Sequence, residues 1–214
     1  MKTENTGQVS VGVVKVPGVL HEKSPTQHLS DLSSLKEKPE LSSCFERKRI
    51  DCIRVDGGGD ENPGHMEVQF IRWTEWHLKE QKEFTLVTTR CSGSSCFNLV
   101  ELQNDVVGRA HANLFIPSTL CGQSESEKGV SQEKLQENME AALQVYLDRV
   151  NDISFGSTIT KMYRGTTDQR ALQMKEERKD LLVFLRGKKV EKTELERTKP
   201  ERYRYFKDIW SLRK

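Results

Sequence analysis

The stretch IDCIRVDGGGDENPGHMEVQF, residues 50–70, changes its hydrophobic period partway along. Ile50 to Val55 is a short apolar run of the kind that forms a buried strand, and Asp56-Gly57-Gly58-Gly59 stops it with a turn. From Gly64 to Lys79, residues Met66, Phe70, Trp73 and His77 recur at steps of three and four, which predicts a helix with one aromatic face. FTLVT at 84–88 returns to strand composition. A Gly- and Ser-containing loop from Cys91 to Ser95 then leads into a helix that Asn98 would cap, with Leu99, Leu102 and Val106 on one side. The order strand, helix, strand, loop, helix belongs to an α/β core.

Either side of this core the chain is more polar. Val9, Val11 and Val13 alternate as in a strand, while Lys23 to Lys48 reads as a loop or weak helix. After Gly122 a polar linker precedes an amphipathic helix over about 132–150, with Leu135, Met139, Leu143, Tyr146 and Val150 on one stripe. Further helices are predicted over about 168–186 and 200–212, joined by the charged connector GKKVEKTELERTK. The expected division is therefore a partial strand and linker at 1–49, an α/β core at 50–122 and a helical basic region at 123–214.

Composition narrows the function classes. The chain has 214 residues, 35% hydrophobic and 31% charged, enough for one sizeable core but polar for its length. Its apolar runs are far shorter than the roughly 20 residues of a membrane span. No membrane contact is expected. The first residues lack a secretory apolar stretch, so the expected location is nuclear or cytoplasmic, not secreted, with the five cysteines as reduced thiols. Cys91 and Cys96 form a lone close pair, where structural zinc sites use two. The net charge of +2 hides an asymmetry: residues 156–214 hold 17 Lys and Arg against 9 Asp and Glu. A polyanion such as DNA would be drawn there, with Lys188, Lys189 and Lys192 as candidate phosphate contacts. The same charges read equally as solvated helix faces paired at i,i+4.

Two carboxylates stand out as possible metal ligands. Asp56 lies at the tip of the first core strand, beside glycines that allow close approach, and Glu101 lies in the first turn of the helix after the Gly-Ser loop. A two-metal phosphoryl-transfer site needs acids from separate rigid elements to converge. Taken singly, Asp56 reads as a turn residue and Glu101 as a helix-start acid. Asp60 could assist a metal or stand in an exposed acidic turn. Trp73 reads as core and Trp76 as the more open ring, a candidate platform for stacked bases. His65 reads as a surface residue, and Ser94, Ser95 or Cys96 near His111 lack the surroundings of a nucleophile elbow.

The pairing of the two acidic contexts resembles a family. IRVDGGGDENPGHMEVQF followed by TLVTTRCSGSSCFNLVELQN is similar to the second and third acidic motifs of DDE-type transposases and integrases, in particular the mariner-like branch and transposon-derived animal proteins. Asp56, Gly57 and Pro63 match the second motif, and Ser94, Asn98, Val100 and Glu101 match the third. The likeness covers roughly residues 50–120. It implies a truncated ribonuclease-H-like core followed by a helical C-terminal region, with Asp56 and Glu101 holding Mg²⁺ or Mn²⁺ for DNA strand cleavage and transfer. The family also uses a first Asp on an early hairpin strand. No Asp precedes Asp31 here, so the expected chain lacks that ligand and the activity with it. The alternative is a non-enzymatic nucleic-acid- or protein-binding module, with oligomeric state open.

Overall fold

The computed structural model describes residues 9–14, 24–46, 48–55, 58, 61–89, 99–127, 129–155, 158–166 and 169–212. Among the described residues it is mixed helix and strand, with three small sheets rather than one large one. The chain divides into two compact units, each drawn from two stretches: Met1–His21 with Ser94–Gly165, and Glu22–Gly93 with Thr166–Lys214. This differs from the serial division expected at 49 and 122. The stretch 50–122, expected to be one core, is shared between the units.

In the first unit, strand β1 (Val9–Val14) pairs in parallel with β7 (Thr158–Arg164), and β6 (Ile153–Phe155) completes the sheet on the other side of β7 as an antiparallel hairpin. The hairpin was not expected from the sequence. Helix α5 (Leu99–Ala110) packs with β6 and with α6 (Gln132–Val150), and its expected cap Asn98 lies outside the described residues. Helix α6 follows its predicted stripe. Ser131 caps it by accepting from Lys134 N at 3.3 Å, and Leu143 and Leu147 pack against Met162 of β7. Arg164 fixes β7 to α6 with a two-pronged grip on Glu140, at 2.6 and 3.2 Å. Between α5 and α6 runs a two-stranded antiparallel ribbon, β4 (Glu125–Ser126) and β5 (Gly129–Val130).

The second unit contains the predicted strand-helix-strand. β2 (Ile50–Val55) and β3 (Phe84–Thr89) pair in parallel, in register from Ile50 with Phe84 to Val55 with Thr89. Between them the chain is helical from α3 (Met66–Val68) through a π-helical stretch (Gln69–Glu75) to α4 (Trp76–Lys79). The π-helical stretch carries a matching side-chain bond, Thr74 Oγ1 donating to the Gln69 carbonyl at 3.0 Å. β2 was expected to be buried; instead its residues alternate. Ile53, Val55 and Val87 face Val68 and Trp73, while Ile50 and Phe84 remain 59% and 52% exposed. Among the described residues, one face of this sheet has a helix upon it, whereas parallel sheets commonly have both faces covered.

The opposite flank of the 66–79 helix packs on other helices. Lys23–Lys48, read as a loop or weak helix, contains the well-formed α1 (Pro25–Lys36), with Ser24 as N-cap accepting from Gln27 N at 3.2 Å and Pro25 opening the helix. A 3₁₀ turn (Pro39–Leu41) and the short α2 (Ser42–Phe45) follow. α7 (Gln169–Arg186), α8 (Lys189–Thr198) and α9 (Pro200–Ser211) form the remainder. The charged connector is thus itself a helix, because Leu195 supplies a buried anchor on its inner side. Leu29, Phe70, Ile71, Trp76, Leu181 and Phe206 make the shared core. Among the described residues, no helix is long and apolar enough to cross a membrane.

Two positions set the geometry of this bundle. Gly187 follows α7, donating its N–H to the Val183 carbonyl at 2.8 Å; a Cβ there would press into that same carbonyl oxygen. Phe206 sits edge-on to Phe70, with centroids 5.6 Å apart, and also against Phe184. Phe206→Ala removes both ring contacts and is expected to cost about 3–5 kcal/mol. Urea unfolding followed by tryptophan fluorescence measures it, since Trp73, Trp76 and Trp210 all belong to this unit.

Candidate functional site

The expected metal ligands are only partly described. β2 ends at Val55, the residue before Asp56, but Asp56 and Asp60 themselves lie outside the described residues. Glu101 is in the first turn of α5, with its side chain likewise outside them. The segment bearing Asp56 belongs to one compact unit and that bearing Glu101 to the other, where a single α/β core had been expected to carry both. Among the described residues, no group of three or more His, Cys, Asp or Glu side chains could hold a metal ion. They offer no set for the Mg²⁺ or Mn²⁺ that the resemblance implies.

Other candidates are clearer. Trp76 was expected to be the open ring, yet it is only 6% exposed. Its indole N–H donates to Asp51 Oδ2 at 3.0 Å, and Lys36 Nζ stands 5.3 Å from its ring centroid. A base cannot stack on a ring so enclosed; the aromatic stripe is interior because helix 66–79 has neighbours on both flanks. Trp73 is buried as expected. His111 lies 3.3 Å from the Tyr146 hydroxyl, while Ser94, Ser95 and Cys96 lie outside the described residues. Lys188 and Lys189 are exposed and Lys192 is half-buried.

Within the second unit, α1, helix 66–79, α7 and α9 line a half-open cavity of about 700 Å³. Leu29, Ile71, Leu181 and Phe206 form its apolar floor. Its polar wall is organised by Glu75, which accepts from Tyr205 Oη at 2.8 Å and from Lys79 Nζ at 2.8 Å. Burial, with the neighbouring Glu75 charge and hydrogen bond, pushes the Tyr205 phenol well above its ordinary range. Arg178, another wall residue, is tied to buried Glu67 at 2.6 Å. Arg202 is tied to Asp180 at 2.5 Å, and Lys199 reaches both oxygens of the same carboxylate at 2.8 Å.

No sequence pattern singled out these acids. Glu67, Asp180 and Asp31 sit on polar stretches of amphipathic helices, where a carboxylate ordinarily faces water. Asp31 is 2% exposed, with Oδ1 accepting from Thr166 N at 2.8 Å and Gln27 Nε2 at 2.9 Å. Apart from Gln27, one turn before Asp31, their partners lie on other segments, so only the folded chain reveals them.

No known family model, curated protein or solved structure matches this chain.

Burial by itself would raise the Asp180 carboxyl, but the hydrogen bonds and charges of Lys199 and Arg202 outweigh it and hold it below the usual value. A lowered carboxyl pKa stabilises the fold above the unfolded-state value, and that contribution is lost as pH falls through the folded one. Asp180→Asn is therefore expected to destabilise this unit at neutral pH by about 1–3 kcal/mol. The gap from the wild type should close as pH falls below about 4, read by urea unfolding at a series of pH values.

Proposed function

We propose that this chain derives from a DDE-type transposase or integrase core and now acts as a nucleic-acid-binding module without strand-transfer chemistry. The parallel arrangement of β2 and β3, with Asp56 following the carboxyl end of β2, supports the ancestry; in open α/β sheets, ligands gather beyond the carboxyl ends of strands. Asp56 and Glu101 are the residues that would have held Mg²⁺ or Mn²⁺ in a ribonuclease-H-like ancestor, with Asp60, four positions after Asp56, as an assisting acid.

Unneutralised positive charge on α8 is the observation that carries the binding role. Some cations of α7–α9 are paired internally, Lys179 with Glu176, Arg197 with Glu194, and Lys199 and Arg202 with Asp180, and Lys175, Arg186, Arg204 and Lys207 add exposed charge without an ion pair among the described residues. Lys188, Lys189 and Lys192 have no ion pair among the described residues. Glu191, the nearest acid in sequence, uses its carboxylate to accept from the Lys188 backbone N–H at 2.5 Å. Three cations left free around one helix start suit phosphate groups, with no base-specific contact implied.

Counterion release makes this measurable. Affinity for duplex DNA should fall roughly tenfold or more between about 50 and 200 mM salt, with a shallower slope after Lys188, Lys189 and Lys192 are replaced by Gln. DNA affinity that is undetectable at the lower salt, or indifferent to salt, defeats the binding role. Supercoiled DNA incubated with Mn²⁺ is expected to remain intact. Nicking that disappears in Asp56→Ala would instead restore the catalytic reading.

A further inference from the structure

We infer that the cavity between α1, helix 66–79, α7 and α9 binds an organic cation: an amine carried on an apolar body of drug-like size. Its volume, about 700 Å³, is that of small-molecule sites, which combine an apolar lining with a few polar groups. Leu29, Ile71, Leu181 and Phe206 provide the lining.

The sign of the ligand follows from which wall charges are already matched. The cations are committed: Lys79 to Glu75 at 2.8 Å, Arg178 to Glu67 at 2.6 Å, and Arg202 to Asp180 at 2.5 Å. An anionic ligand would have to break one of these pairs, two of which involve buried carboxylates that would be left without their cation. The acids are less committed. Glu177 has only a long contact from Arg202 at 3.8 Å and a weak bond from Gln173 at 3.4 Å. Glu201 has no partner among the described residues. Both line the cavity, so a cation entering it meets carboxylates with capacity to spare.

One further feature of the wall points the same way: Tyr205 adds an aromatic ring to it, a surface that attracts organic cations.

The test uses the full chain and three matched probes: 4-phenylbutylamine, 4-phenylbutanol and 4-phenylbutyrate. Titrations are followed by methyl NMR at Leu29, Ile71 and Leu181. The amine should shift these methyls and bind at least about fivefold more tightly than the carboxylate, the worth of one partly solvated ion pair. In a Glu177→Gln/Glu201→Gln double variant that ratio should collapse toward one; because it is a ratio within one protein, a general loss of stability does not mimic it. Absence of shifts with the amine at millimolar concentration, a ratio of one or below in the wild type, or a ratio unchanged in the double variant would each overturn the inference.

Discussion

Burial of helix 66–79 on two opposite flanks is the constraint from which the larger unit is built. Val68 and Trp73 face the parallel strands, while Phe70, Ile71 and Trp76 enter the core shared with α1, α7 and α9. An isolated two-stranded parallel sheet has little stability of its own in water, so β2 and β3 depend on the helix they flank. Trp76 serves both sides at once: its ring packs among the helices and its indole N–H reaches Asp51 on β2. That hydrogen bond satisfies the one polar atom of a large side chain that the fold otherwise removes from water.

Carboxylates then join segments that are far apart along the chain. Asp31 holds Thr166, 135 positions away. Glu67 holds Arg178, and Asp180 gathers Lys199 and Arg202. Taking a charge out of water is costly unless a partner with good geometry replaces the solvent. Each of these acids therefore makes the entry of its helix into the bundle conditional on a second segment being in place. Thr166 is fixed in this way from α1, through Asp31 and Gln27.

The same pairing governs what the surface of this unit can offer. Some cations of α7 and α9, Arg178 and Arg202, are spent on holding helices together, while the exposed Lys175, Arg186, Arg204 and Lys207 join the start of α8 as cations with no ion pair among the described residues. The cavity, in turn, has matched cations and under-committed acids. One unit thus presents a basic start to α8 and, by our inference, a cation-accepting cavity lined by α1, helix 66–79, α7 and α9.

The sequence by itself determined the elements whose pattern is local. β2, helix 66–79, β3, α5, α6, α7 and α9 all lie close to where periodicity and caps put them, because a helix or strand is written in neighbouring residues. It did not determine which elements belong together. α5 was expected beside β2, yet packs with β6 and α6; β1 finds its partner in β7, about two-thirds of the chain further on. Tertiary packing also decided that Trp76 is interior, that the 187–199 connector is a helix anchored by Leu195, and that β2 keeps one face open. Asp31, Glu67 and Asp180 read as solvated helix-face acids until their partners arrive from distant segments. Pairing and burial are properties of two pieces of chain, and a pattern within one piece carries no record of the other.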